Sequence, residues 1–217
     1  MPNDINILPH YLIKRYRGWK ATVYEENKSW YNKIANEGQN PHAMIISCCD
    51  SRIHATSMFG ADSGEFFIHR NIANLVPPYN PNGDHHGTSA ALEYAVMILH
   101  VSHIIVLGHS NCGGITSGYK LCKDNQISNE LKFVNKWLEI LKPAYKNFSK
   151  NANQFDEDPT EDFGKESIKI SINNLTDFPF AKSALNKNEL VLHGLWYDIG
   201  SGTLEALDPS SMKFVKI

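Results

Sequence analysis

Two short segments concentrate the side chains of this chain that could do chemistry. One reads Cys48-Cys49-Asp50-Ser51-Arg52, and the other Gly108-His109-Ser110-Asn111-Cys112-Gly113-Gly114. Cys48, His109 and Cys112 together offer two thiolates and an imidazole, a soft donor set that suits zinc. Three protein ligands would leave one tetrahedral position for water. The spacing His109-x-x-Cys112 lets one turn deliver two ligands, and Gly113-Gly114 permits tight backbone there with a helix start behind it. His-x-x-Cys alone is a weak signal, satisfied equally by a packed histidine and an inert thiol. Cys48 at the end of one apolar run and His109 at the end of another shift the balance to a single Zn2+ per chain.

Asp50 and Arg52 share alternation parity with Cys48, so an extended backbone would project all three to one place. A carboxylate held by a guanidinium stays ionised and acts only as an acceptor. Beside a metal-bound water it would take that water's hydrogen and orient the remaining lone pair. An ordinary ion pair at a strand end is the plainer alternative. Cys49, its side chain directed opposite to that of Cys48, is predicted to face the core or an adjacent layer. Cys122 lies on a later polar stretch and reads as a bystander. Two disulfides are disfavoured, because a chain of this size needs no covalent staples and Cys48 and Cys49 are adjacent. A closed structural zinc site would want four ligands, often in Cys-x-x-Cys pairs, and no such pair occurs.

The elements that must position these residues follow from periodicity. Ala43 to Ser47 is a short apolar run opening onto Cys48 and reads as a buried strand. Gly64 to Ile68 reads as a second strand, and His103 to Gly108 as a third, ending at His109. Between them, Asn80 to Gly87 is a loop, and Thr88 or Ser89 caps a buried helix running to about His100. Leu131 to Tyr145 has helical spacing, Asn151 to Pro159 is a polar loop, and Ile168, Ile172 and Leu175 mark another helix. Leu190 to Leu192 forms a late strand before His193-Gly194. Two strand-like pieces, 204–207 and 212–215, close the chain. Upstream, Tyr11 to Ile34 carries Ile13, Tyr16, Trp19 and Val23 at helical spacing, a helical arm of one helix or, because Gly18 weakens it, two. Strands alternating with helices imply an α/β fold with a mainly parallel sheet of about four strands plus a C-terminal edge strand. In such sheets ligands lie past the carboxyl ends of strands, where both reactive segments fall.

The 217 residues, 42% hydrophobic, suffice for one sizeable core, so a single domain over 1–217 is expected. A net charge of −2 gives no reason to expect nucleic acid. No apolar run approaches a membrane span, and Met1-Pro2-Asn3-Asp4 lacks the regions of a secretory signal. A cytoplasmic protein is the expectation.

Cys48-x-Asp50-Ser51-Arg52 followed by His109-x-x-Cys112-Gly113-Gly114 resembles the signature pair of beta-class carbonic anhydrases. His69 to Tyr79 is similar to that family's second-strand region, and Gly87 to Ala95 to its buried helix. The resemblance implies zinc held by Cys48, His109 and Cys112, an Asp50–Arg52 dyad, and reversible hydration of carbon dioxide to bicarbonate and a proton by zinc-bound hydroxide. It also implies a homodimer, or a higher homo-oligomer built from dimers, with the arm (1–37) as a contact, and an apolar pocket lined by Phe67, Ile72 and Tyr94. The same site could instead hydrolyse carbonyl sulfide or carbon disulfide, and a zinc-stabilised interaction module is a third reading. Asp62 aligns with a substrate-binding glutamine of many members, but an ionised carboxylate would repel bicarbonate, so that role is not carried over. Ile45 stands where regulated members have a tryptophan, so no non-catalytic bicarbonate site is expected despite Arg70 and Tyr197. His54 is a candidate proton relay, its alternative being an ordinary surface histidine.

Overall fold

The computed structural model describes residues 6–84, 86–124, 130–150 and 159–217. Two compact units divide the chain, Met1–Gln39 and Asn40–Ile217.

The first unit holds helices α1 (His10–Trp19) and α2 (Lys28–Glu37), joined through a π-helical turn at Lys20–Tyr24. The arm therefore breaks into two helices. The break begins beside Gly18, whose carbonyl accepts a bond from the Thr22 hydroxyl at 3.0 Å. Trp19 makes ring contacts with Tyr16, Tyr24 and Tyr31. Gly38, at φ +80°, ends α2.

A six-stranded sheet of order β2-β1-β3-β4-β5-β6 organises the second unit. Its strands are β1 (Ala43–Cys48), β2 (Phe66–Asn71), β3 (His103–His109), β4 (Val191–Tyr197), β5 (Leu204–Leu207) and β6 (Phe214–Lys216). The first four run parallel, and β5 and β6 add antiparallel pairings at one edge, where the two strand-like pieces of the tail were expected. The helices are α3 (Ala55–Met58), α4 (His86–Met97), α5 (Gly113–Asp124), α6 (Lys132–Leu138), α7 (Lys142–Lys150), α8 (Pro159–Asp177) and α9 (Pro179–Asn186). The alternating strands and helices bear out the α/β reading.

Side chains alternate across the central strands. Met44 and Ile46 of β1 and Ile104 and Val106 of β3 join α4 and α8 in one core. Ile45 and Leu107 face the other way and pack with Ile53, Ala55 and Leu195. Both faces being apolar, β1 is fully buried along its length, as a central parallel strand should be. Each such Ile contributes about 2 kcal/mol of transfer free energy.

Several boundaries differ from those read from periodicity. β2 starts later, at Phe66, because Gly64 sits at φ +101° in a turn. The segment expected as one helix from Leu131 splits into α6, a 3-10 turn at Glu139–Leu141, and α7. Pro143, unable to donate within a continuing helix, lies instead in the first turn of α7. β4 runs on through His193-Gly194 because its parallel register with β3 extends from Val191 to Tyr197. The polar loop expected at Asn151 to Pro159 lies, through residue 158, outside the described residues.

α8 approaches the sheet closely over β3 and β4. A Cβ at Gly194 would stand 2.9 Å from both Ile168 Cγ2 and Ile172 Cδ1. Gly194→Ala is expected to cost about 1–3 kcal/mol by overpacking, read as a lower urea midpoint with unchanged slope. An unchanged midpoint would contradict the packing described.

Candidate metal centre

The chain crosses from β1 to its neighbour β2 on one side, and then to β3 on the other side of β1. The order therefore reverses between β1 and β3, and the crevice past their carboxyl ends is where open parallel sheets bind ligands. Cys48 is the last residue of β1 and His109 the last of β3. Ser47 pairs with Leu107, so the two strand ends lie side by side. Asn111 at φ +55° turns the chain, and Cys112 then stands directly before α5, its carbonyl accepting from the Thr116 N–H. Gly114 lets α5 start close to the 72–74 turn. A Cβ there would lie 2.8 Å from Ile72 Cγ2 and 3.0 Å from Ala73 Cβ.

One ligand atom from each of Cys48, His109 and Cys112 lies within 4.8 Å of the others, and all three residues are buried. The two sulfurs are 3.8 Å apart, well beyond a disulfide bond length. Sulfurs at about 2.3 Å from one tetrahedral zinc would stand about 3.8 Å apart. His109 Nδ1 is 2.9 Å from the Ser110 carbonyl oxygen. A carbonyl only accepts, so Nδ1 carries the hydrogen and Nε2 keeps its lone pair. Nε2 is buried and has no hydrogen-bond partner among the described residues, an orphaned acceptor that a metal would satisfy. The Cys112 thiol, then the neighbouring His109 ring and the nearby Asp50 and Ala73 N–H groups, hold Cys48 down at about 4 against the effect of burial. Sharing a proton with Cys48, together with burial, pushes Cys112 far up, although the Gly114 and Ile115 N–H groups at the start of α5 oppose this. The donor set fits zinc.

Asp50 and Arg52 meet, but by a turn rather than by strand alternation. β1 has ended, and Asp50 Oδ1 accepts from the Arg52 backbone N–H at 3.0 Å. The guanidinium then closes a two-point fork, Nε to Oδ1 at 2.9 Å and Nη2 to Oδ2 at 2.6 Å. Arg52 Nη2 also donates to the Asn111 carbonyl at 3.0 Å, joining the two reactive loops. Asp50 Oδ2 faces the cluster, 4.0 Å from His109 Nε2.

The remaining candidates separate. Ile72 lines an apolar cleft of about 660 Å³ with Cys49, His69, Asn71, Phe133 and Trp137. Phe67 and Tyr94 are absent from that lining and stack on each other at 5.9 Å. Cys49 is exposed rather than turned into the core, because the strand ends at Cys48. His54 caps α3, its Nδ1 accepting from the Ser57 N–H and lying 2.8 Å from the Thr56 hydroxyl. Sequence reasoning gave no site role to Asn71 or Ala73, and of Arg70 it saw only an anion-site match. Arg70 spends Nε on the Cys48 carbonyl and Nη2 on the Asp50 carbonyl. Only the adjacency of Arg70-Asn71 to the end of β2 could have flagged them.

Residues 43–204 match the family model described as carbonic anhydrase. The chain is 36% identical over 188 residues to beta carbonic anhydrase 3 of Arabidopsis thaliana, covering 86% of this chain and 72% of the relative. The chain belongs to the beta-carbonic anhydrases. Solved structures agree. The beta-carbonic anhydrase CcaA superposes with a TM-score of 0.89 at 30% identity, covering 95% of this chain and 91% of that one. A tetrameric beta-carbonic anhydrase of the filamentous ascomycete Sordaria macrospora gives 0.78 at 32% identity, covering 91% and 95%. This beta-carbonic anhydrase is a zinc lyase that hydrates carbon dioxide reversibly, and the Cys48, His109 and Cys112 cluster can hold one ion.

The side-chain fork from Arg52, and then the Arg52 N–H, hold the Asp50 carboxyl well below the usual carboxylate range. A depressed folded-state value stabilises the fold above the unfolded value of about 3.9, and the contribution fades as pH falls through the depressed one. Arg52→Ala is therefore expected to melt below wild type near neutral pH, with the gap narrowing below about pH 4. A gap that stayed constant on acidification would refute the pairing.

Proposed function

We propose that Cys48, His109 and Cys112 hold the zinc, that Asp50 and Arg52 act on the substrate side of it, and that carbon dioxide is the substrate. When bound, zinc supplies the Lewis acidity that ionises water near neutral pH. Beside a zinc held there, the ionised Asp50 Oδ2 would accept a hydrogen from water or hydroxide at the cluster and orient it toward carbon dioxide. Arg52, by its fork, keeps Asp50 ionised and fixes the plane of the carboxylate. Ile72 offers an apolar wall for a substrate with no net dipole. The observation that carries this reading is the orphaned, buried Nε2 of His109 aimed beside two sulfurs, with the Asp50 carboxylate 4.0 Å away.

Phe67 and Tyr94 belong to the same proposal through a second copy. They lie on an edge strand and on α4 with Ile68, Met97 and Ile98 exposed nearby in sequence, so they would reach a site across an interface. The arm, 1–37, exposes Tyr16, Trp19 and Trp30, an aromatic load suited to a contact between copies of a single beta-carbonic-anhydrase domain. The tetrameric relative of Sordaria macrospora supports a homo-oligomer built from dimers. Light scattering is expected to read at least a dimer, and a monomer at micromolar concentration would sink this part.

All four cysteines are free thiols, which suits a reducing compartment such as the cytoplasm. Among the described residues no helix is long and apolar enough to cross a membrane. Arg70, with two donors already spent on carbonyls, is not proposed as part of a second bicarbonate site.

Stopped-flow hydration of carbon dioxide tests the reading. Wild type should carry about one zinc per chain and lose activity with a strong chelator. Asp50→Asn should keep its zinc and fall about a hundredfold or more in turnover. Full activity in Asp50→Asn, or faster turnover of carbonyl sulfide than of carbon dioxide, would overturn the assignment.

A further inference from the structure

Ser110 follows His109 directly, and the structure bonds it through its carbonyl, its N–H and its hydroxyl. The carbonyl accepts from His109 Nδ1 at 2.9 Å. The N–H donates to the Tyr197 carbonyl at 2.9 Å, carrying the β3–β4 ladder past the last residue of β3. The hydroxyl accepts from the Ile199 N–H at 2.9 Å. Ser110 is buried, as is His109, so a donor that lost its acceptor here would go unpaired.

The far anchor is a closed turn between β4 and β5. The Asp198 N–H donates to the Thr203 carbonyl, and the Asp198 carbonyl accepts from the Gly202 N–H, both at 2.9 Å. Asp198 Oδ1 accepts from the Ser201 N–H at 2.6 Å. Ile199 packs against the core that holds Leu107 and Leu195. The turn is thus fixed by its own bonds and by apolar contact before Ser110 is considered. With the N–H and the side chain of Ser110 both tied to this region, tetrahedral geometry fixes its carbonyl carbon as well. The peptide that carries the carbonyl oxygen can then swing about one bond only. Its other end is restrained too, since Arg52 Nη2 donates to the Asn111 carbonyl at 3.0 Å.

We propose that Ser110 is a positioning residue for the metal centre: its hydroxyl, tied to the Ile199 N–H, fixes the carbonyl that holds the His109 ring, so that Nε2 stays aimed at the ion. The inference rests on His109 being a zinc ligand, as proposed above. Without the hydroxyl, the Ile199 N–H loses its acceptor and the Ser110 peptide gains freedom. The imidazole turns with it, presents Nε2 to the metal for less of the time, and the metal leaves sooner. Groups outside the coordination sphere that orient a ligand ordinarily change metal affinity or activity by about 10–100-fold when removed. A tie that served the fold alone would lower the melting temperature and leave metal release unmoved.

Nuclear magnetic resonance on protein labelled with nitrogen-15 and loaded with cadmium-113 gives the readout, because the bound ring is recognised by coupling of its Nε2 to the metal. Wild type is expected to show one such ring, with its Nδ1 proton and the Ile199 amide proton both protected from exchange with solvent. No coupled ring in wild type would fell the zinc-ligand reading itself, separately from the role of Ser110. A coupled ring whose Nδ1 proton exchanges freely, or a freely exchanging Ile199 amide, would overturn the proposal without any variant. Ser110→Ala, checked for folding by circular dichroism, should release zinc to a chelator about tenfold faster and speed exchange of the Nδ1 proton. Ser110→Thr keeps a hydroxyl and should return both toward wild type. A folded Ser110→Ala with either zinc release or Nδ1 exchange unchanged overturns the proposal. So does a Ser110→Thr protein that protects the Ile199 amide yet releases zinc as fast as the alanine form.

Discussion

The rest of the molecule depends on two sulfurs held 3.8 Å apart out of water. Two buried thiolates at that distance repel each other strongly in a medium that screens poorly. Without a cation the pair settles on one shared proton, which is why Cys48 is pulled down and Cys112 pushed up. The imidazole beside them has its hydrogen committed to the Ser110 carbonyl, leaving a lone pair that no protein group meets. Surrounding N–H groups, at the N-terminus of α5, of Asp50 and of the 72–74 turn, favour negative charge on the sulfurs. A divalent ion resolves the imbalance, and the fold is arranged around that requirement.

Topology brings the ligands together at little cost. Because the chain reverses direction of winding between β1 and β3, their carboxyl ends flank a crevice of the kind that binds ligands in open parallel sheets. Cys48 and Cys112, 64 positions apart, need no long loops to meet, since each is delivered by a rigid strand end or by the turn directly after one. α8, drawn close over β3 and β4 by the missing side chain at Gly194, stiffens the same strands from beneath. The centre therefore sits on the most buried part of the sheet rather than on mobile surface loops.

Much of this was legible in the residues themselves. The apolar runs ending in Cys48 and His109 locate two strand ends, and sulfur, nitrogen and sulfur at those ends specify the metal chemistry. What stayed hidden has physical causes. Alternation suggested how Asp50 and Arg52 converge, yet the strand stops at Cys48 and a side-chain-to-backbone turn brings them together instead. Cys49 follows the same break and emerges into solvent rather than into the core. Pro143 carries no periodic signal, so the division between α6 and α7 was invisible in hydrophobic spacing. The tie between Ser110 and Ile199 joins positions 89 apart, and neither residue type announces it. Phe67 and Tyr94 illustrate a further limit, since they stack on each other and do not line the cleft that holds Ile72.

Arg52 does more than hold Asp50. The same terminal nitrogen that grips the carboxylate also grips the Asn111 carbonyl, 59 positions along the chain. Lysine, with a single charged nitrogen and no fork, could not add the second bond from Nε to Asp50 Oδ1 that fixes the carboxylate plane. The loops are consequently coupled in space: an insertion in either would slacken the grip on the other. For anyone grafting this centre onto a foreign scaffold, copying three ligands and a carboxylate would be insufficient. The guanidinium would have to travel with both loops, as the tie that keeps their spacing.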